Sequence, residues 1–445
     1  MEIKRFILED MLWWKNSEQR RPLIIQGARQ IGKTWIMKKF GETYYQHVAY
    51  FNFESSEELA SEFERTKDPR RIVERLRLYS GSPILPGDTL IIFDEIQQCG
   101  KALNSLKYFC EEAPEYHIVA AGSLLGVALH KNEGFPVGKV DFLKMYPVSF
   151  REYLATSSPE VADYIDKIVS IEPLPEIITG KIWEQYRLYQ VCGGMPKAVL
   201  VSLESGGNEL IAREQQEILT SFFLDFSKHA PISEFPRISA VWQSLPSQLA
   251  KENRKFIYKV VKPGARAREY EGALSWLREA GLIYQIYCCG RPALPLSAGD
   301  DLGAFKLYLL DVGLLRAMAK LPPEIFVSEN HLFKEFKGAL TENAVLQAVI
   351  PRLEQQPRYW VSSGTAEVDF IIQHGLEVIP AEVKSSTNTS GKSLSVYIGK
   401  YNPAIALIYS SRELSVNRPT ADSHTSVMNI PLPLADWTPE LLGLV

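Results

Sequence analysis

Eight residues, Gly27-Ala28-Arg29-Gln30-Ile31-Gly32-Lys33-Thr34, constrain this chain more than any other stretch, because they fit G-x-x-x-x-G-K-T in full. They follow an apolar run, Pro22–Gln26, that predicts a short buried strand, and they open a helical pattern running to about Phe40. Strand before and helix after are the context that makes a glycine-rich turn a phosphate-binding loop. Gly27 and Gly32 let the backbone curl until successive N–H groups face a phosphate chain, and the helix N-terminus adds its positive dipole end. Lys33 then reaches the β- and γ-phosphates, and the Thr34 hydroxyl ligates Mg²⁺.

A partner motif stands 61 residues beyond Lys33, where Leu90-Ile-Ile-Phe-Asp-Glu95 places two acids after four apolar residues. A buried strand of this kind delivers Asp94 to the carboxyl edge of a sheet, to hold Mg²⁺ through its water shell. Glu95 beside it would orient and deprotonate an attacking water. Further strands over His47–Phe53 and Tyr116–Ala121, alternating with helical stretches at 57–78 and about 100–112, predict a parallel α/β sheet covered on both faces. The fourth strand runs into Ser123, which either touches the γ-phosphate as a sensor or caps a helix. Asn52 and Glu54 end the second strand near the same edge, and Trp13-Trp14 reads as a core anchor.

Composition narrows the rest. With 46% apolar and 23% charged residues, the 445-residue chain is globular, in two to four domains. A net charge of −4 excludes a uniformly basic nucleic-acid binder but not a local patch. Five cysteines without a C-x-x-C pair suit a reducing cytosol, so a cytoplasmic location is expected. Glu9 and Asp10 interrupt the place where a signal peptide needs its apolar core, and no apolar run approaches the length of a membrane span.

Between Lys251 and Arg268 stand seven basic residues against the single acid Glu252. Residues 231–300 read as three short helical segments followed by a hairpin, the order of a winged helix, with Arg266 and Arg268 at the start of its second main helix and Lys262 just before. That start is where a helix–turn–helix meets a DNA groove. The competing reading is a winged helix used for packing or protein contacts. Farther on, Asp369 lies on a predicted strand, Glu382 and Lys384 on the returning strand, and Glu342 on a helix upstream. This pattern resembles the PD-(D/E)xK nuclease fold, which implies a second metal site of Glu342, Asp369 and Glu382 supported by Lys384. The competing reading is a fold kept as a binding platform without catalysis. Pro380 predicts an edge or bulge in the second strand. His130, His229 and His331 each read as isolated surface or packing residues.

The loop, the Asp-Glu pair and the sensor strand are similar to the ATPase core of the AAA+ and STAND superfamily. Pro136-Val-Gly-Lys139, Tyr146-Pro-Val-Ser-Phe-Arg-Glu-Tyr153, Gly193-Gly-Met-Pro196 and Phe305-Lys-Leu-Tyr-Leu-Leu-Asp-Val-Gly-Leu-Leu315 resemble bacterial and archaeal ATPases that carry a C-terminal domain of unknown function. The resemblance implies a P-loop ATPase core over 1–155, a helical lid over 156–230, a winged helix over 231–304 and a restriction-endonuclease-like α/β domain over 305–445. It implies ATP and Mg²⁺ as cofactors; DNA is the partner expected from the basic patch, and a homo-oligomer and a monomer both remain open. The expected function is an ATPase coupling nucleotide state to domain arrangement on DNA; a slow nucleotide switch that recruits proteins and an ATP-controlled nuclease are the alternatives. Many relatives carry Gly-Arg at the position of Gly138-Lys139; Lys139 lacks the bidentate fork of an arginine, and Arg151 is the other cation weighed for stabilising transition-state charge.

Overall fold

The computed structural model describes residues 1–122, 135–205, 207–251, 255–323, 334–385, 391–417 and 424–444. Two compact units divide the chain: Arg5–Tyr146 with Glu279–Leu282, and Met1–Lys4 with Pro147–Arg278 and Ile283–Val445.

The first unit is built on a parallel sheet of β1 (Leu23–Gln26), β2 (His47–Asn52), β3 (Thr89–Asp94), β4 (His117–Ala121) and β5 (Asp141–Lys144), in the order β2-β3-β4-β1-β5. β3 and β4 are buried along their whole length, which is why they read as unbroken apolar runs. β5 gave no such signal. It is a four-residue edge strand whose side chains alternate between half-buried and exposed. The charged stretch predicted as one helix forms two, Glu57–Arg65 and Pro69–Ser80, because Asp68 caps the second and Pro69 opens it. Phe51, Phe53, Phe63 and Phe93 pack edge-on beneath them. The N-terminal helix is Ile7–Asn16; it buries Trp14 but leaves Trp13 76% exposed, since neighbours on a helix point about 100° apart. Only one tryptophan of the pair is therefore an anchor.

In the second unit, most of the described residues between 150 and 249 are helical, in elements such as Phe150–Ser157, Glu176–Cys192 and Asn208–His229. Helices Phe235–Leu249, Tyr258–Val261 and Ala267–Glu279 follow, then the antiparallel pair β6 (Ile283–Cys289) and β7 (Asp300–Leu309). That pair continues through β8 (Arg358–Val361) into β9 (Glu367–His374), β10 (Glu377–Val383), β11 (Ile405–Ser410), β12 (Ser415–Asn417) and β13 (Ser426–Pro431), making one eight-stranded sheet in the order β12-β13-β11-β10-β9-β8-β6-β7. The edge or bulge expected at Pro380 is absent. β10 lies between β9 and β11, and its register with β9 is unbroken. Its pairing with β11 begins at Ala381, one residue past the proline that has no N–H to give.

Three of the sequence motifs meet in a buried junction. The Asp311 carboxylate caps the helix Val312–Met318 through the Leu314 N–H at 2.8 Å and accepts the Gly194 N–H at 2.5 Å. Gln347 donates to it at 3.2 Å and to the Tyr189 hydroxyl at 3.0 Å, and Tyr189 donates to the Val148 carbonyl at 2.7 Å. Val148 N–H in turn donates to the Gly194 carbonyl. Gly193 has φ +71°, and a Cβ there would fall 2.2 Å from Asp311 Oδ1. A Cβ on Gly194 would fall 2.2 Å from the Val148 oxygen.

At the chain's end Asp436 is buried and accepts the Arg151 N–H at 3.1 Å. Burial pushes its carboxyl up to about 7, with Glu152 adding to the rise and Arg151 and Arg352 opposing it. The folded form then holds a proton that the unfolded chain releases near pH 4. Stability is full below about pH 4 and falls as pH rises through 7, by up to about 4 kcal/mol. Asp436→Asn should flatten that slope in urea melts at pH 4.5 and 7.5; an unchanged slope would refute the assignment.

Candidate nucleotide-binding site

The loop Gly27–Gly32 leaves the carboxyl end of β1 and turns into the helix Lys33–Tyr44. Gly32 caps that helix in the left-handed region, at φ +93°, and Gln30 is left-handed as well, at φ +64°. At Gly27 a Cβ would lie 2.3 Å from the Met145 oxygen and 2.5 Å from the Ile31 side chain, so only glycine fits. Arg5 ties the loop down from outside, donating to the Ile31 carbonyl at 3.2 Å and the Tyr146 carbonyl at 2.8 Å. Gly281 packs against the loop, its Cβ position 3.2 Å from the Ala28 nitrogen.

Lys33 is buried and donates to the carbonyls of Gly27 at 2.9 Å and Ala28 at 2.7 Å. Burial pulls its ammonium down to about 8; Glu95 and Asp94 pull the other way, and Arg29 reinforces the fall. Thr34 donates its hydroxyl proton to Asp94 Oδ2 at 2.7 Å. The order β3-β4-β1 explains this meeting, because Asp94 ends a strand only one place removed from β1. Asp94 Oδ1 accepts the Glu95 N–H at 3.1 Å. Glu95 itself sits in the left-handed region, at φ +51°, which costs a residue with a Cβ about 1–2 kcal/mol. Gln97 Nε2 donates to Glu95 Oε2 at 2.5 Å.

Tyr50 is a residue that motif reading missed. Its hydroxyl donates to Asp94 Oδ2 at 2.9 Å and accepts from Asn52 Nδ2 at 3.3 Å. Burial, with Asp94 and Glu95 nearby, pushes the phenol up to about 12, so it stays a donor. Strand alternation held the clue: Tyr50 and Asn52 share a face of β2, and Asn52 pairs with Asp94 in register. Glu54 lies 3.8 Å from Arg29, which brings the end of β2 to the loop. A hydroxyl and a carboxylate converging at the loop suit Mg²⁺, an ion that prefers oxygen ligands and keeps several of its own waters.

The remaining predicted residues lie elsewhere. Ser123, His130 and His331 fall outside the described residues. Lys139 precedes β5, whose first residue pairs with the first residue of β1, so it stands at the amino edge of the sheet, opposite the loop. There it pairs with Glu111 at 2.9 Å. Arg151 belongs to the second unit, where it pairs with Asp166 at 2.8 Å and Glu440 at 2.7 Å. Lys262, Arg266 and Arg268 are exposed around the start of the helix Ala267–Glu279, whose first N–H groups are partly satisfied by Glu269 at the Arg266 N–H.

Glu342, Asp369, Glu382 and Lys384 all lie in the second unit. Among the described residues no three His, Cys, Asp or Glu side chains form a group able to hold a metal ion. Lys306, which sequence reading overlooked, lies 3.3 Å from Glu342 Oε1 and 2.6 Å from Glu367 Oε1. Asp369 accepts the Val383 N–H at 2.8 Å, and Lys384 donates to Glu382. Among the described residues no helix is long and apolar enough to cross a membrane.

Residues 19–154 match the family model described as AAA domain. Residues 183–325 and 337–434 match two models described as domains of unknown function, DUF8612 and DUF4143. No curated protein matches the chain. Solved structures similar to it include the Aeropyrum pernix ORC1 protein in complex with DNA, at 14% identity over 71% of this chain and 90% of that one, with a TM-score of 0.27. The Thermotoga maritima RuvB Holliday junction branch migration motor is similar at 14% identity over 66% and 91%, with a TM-score of 0.27. AMPPCP-bound DnaA from Aquifex aeolicus is similar at 13% over 61% and 85%, with a TM-score of 0.26. Loop geometry, parallel sheet and family model agree in likening residues 19–154 to an AAA domain with a P-loop fold.

Proposed function

We infer that the chain is a Mg²⁺-dependent ATPase that couples its nucleotide state to the arrangement of its domains on DNA. The observation that carries this reading is the 2.7 Å contact between Thr34 and Asp94 at the mouth of the Gly27–Gly32 loop. Backbone N–H groups of the loop and Lys33 hold the phosphate oxygens. Thr34 and Asp94 would hold Mg²⁺, which when bound neutralises phosphate charge. Glu95 accepts a proton from the water that attacks the γ-phosphorus. Glu95→Gln should keep ATP bound while lowering turnover at least about 100-fold; steady-state phosphate release at the wild-type rate would remove Glu95 from this role.

One contact favours the slower, switch-like form of the same reading. Gln97 holds Glu95 Oε2, and a base that spends its lone pair on an amide is a weaker acceptor for water. Gln97→Ala should raise turnover several-fold in the same assay. A fall instead would make Gln97 a residue that aims the base.

The DNA part rests on the exposed cations Lys255, Lys259, Lys262, Arg266 and Arg268 on a winged-helix-like segment. Combined exchange of Lys262, Arg266 and Arg268 for Glu should abolish duplex retention in filter binding. Wild-type affinity should fall steeply with salt, with a log–log slope of about −3 from these three contacts. No retention by the wild-type chain at low salt would end the DNA reading.

A further inference from the structure

Two of the acids that resemble a nuclease centre, Glu342 and Glu382, already hold cations of the chain itself, Lys306 and Lys384. β9 and β10 run antiparallel with Ala381 opposite Phe370 at the end of their paired register; continuing that register sets Glu382 level with Asp369 and, two residues farther, Lys384 level with Glu367. Directly opposed residues share a face, so Glu367, Asp369, Glu382 and Lys384 all look to the same side. Glu342 joins them from the helix Lys334–Val349. Into this group β7 sends Lys306, whose side chain is 1% exposed. Its ammonium touches Glu342 and Glu367 and lies 5.0 Å from the centre of the Tyr359 ring. The Tyr308 hydroxyl also donates to Glu342 Oε1.

We propose that Lys306 is a resident cation, standing between Glu342 and Glu367 in the place a divalent ion would need, so that this cluster binds no metal and serves to lock β7, β9, β10 and the helix Lys334–Val349 together. A hard divalent cation needs several oxygen ligands with free lone pairs. Here one oxygen of each acid is already engaged, Glu342 Oε1 by an ammonium and a phenol, Asp369 Oδ2 by a backbone N–H and Glu382 Oε1 by Lys384, while Glu382 Oε2 is buried without a hydrogen-bond partner among the described residues. A second positive charge beside a buried ammonium is also repelled strongly at low dielectric. The lock has a further consequence, that a buried charged group is costly to orphan.

The test uses the full, nucleotide-free chain and Mn²⁺, with bound ion counted by electron paramagnetic resonance and thermal melting followed in parallel. Wild type and Asp369→Asn should bind the same number of ions, any at Thr34 and Asp94 being common to both. Lys306→Met should melt lower than wild type, gain one Mn²⁺ per chain and recover melting temperature as Mn²⁺ is added. Adding Glu342→Gln to it should remove both the extra ion and the recovery. A wild-type count that drops by one in Asp369→Asn would overturn the proposal, as would a Lys306→Met chain that folds but neither gains an ion nor is stabilised by Mn²⁺. The wild-type comparison decides the matter even where Lys306→Met does not fold.

Discussion

Lys33→Ala should weaken ATP binding at least about 100-fold, because a buried ammonium that meets a polyanion is worth about 3 kcal/mol or more. Isothermal titration at pH 7 reads this directly, and binding within about threefold of wild type would refute the assignment. The depressed ammonium adds a pH signature. Free Lys33 loses its proton near 8, while phosphates at the loop raise its affinity for that proton again. Wild-type affinity should therefore be flat below pH 8 and fall by up to about tenfold per pH unit above it. Proton uptake on binding should appear at pH 8 in buffers of different ionisation enthalpy. Lys33→Met should bind weakly at every pH and take up no proton at this site.

The second large effect lies in the other unit. Asp311→Ala should destabilise it by roughly 3–5 kcal/mol, because the buried N–H groups of Gly194 and Leu314 and the amide of Gln347 lose their acceptor together. Burial pushes the Asp311 carboxyl above its usual range, and those donations pull it back. Asp311→Asn keeps the shape and one acceptor oxygen and should cost less than Asp311→Ala. Gly194→Ala should match the larger loss, since its Cβ would sit inside the Val148 carbonyl. Urea melts that moved by less than about 1 kcal/mol for Asp311→Ala would show that the junction is not holding the unit.

Motifs with strict local geometry were legible before any coordinates. The P-loop and Asp94-Glu95 need particular residue types at fixed spacing, and buried parallel strands write themselves as apolar runs. What stayed hidden depends on which distant segments meet. Tyr50 looked like an ordinary strand aromatic until β2 lay beside β3. Lys306 looked like one charge in an apolar run, and only the register of β9 and β10 shows what it neutralises. Lys139 followed a motif that resembles a catalytic one, yet the direction of β5 puts it at the opposite edge. Gly193-Gly194 and Asp311 were visible as separate motifs; their partnership across more than a hundred residues was not.

The pairing of Arg151 with Asp436 and Glu440 spans 285 and 289 residues, and it sets an order of events during synthesis. The first unit needs only residues up to Tyr146, apart from the short return at 279–282, so its sheet can assemble while the ribosome is still making the rest. The second unit cannot close then. Its helices emerge early, but β6 and β7 wait for β8, and Arg151 waits for Asp436 and Glu440. Contacts this distant in sequence close slowly and late. A nascent chain stalled after Tyr146 has cleared the ribosome, but before Asp436 has been made, should therefore carry a folded first sheet and an open, chaperone-dependent remainder.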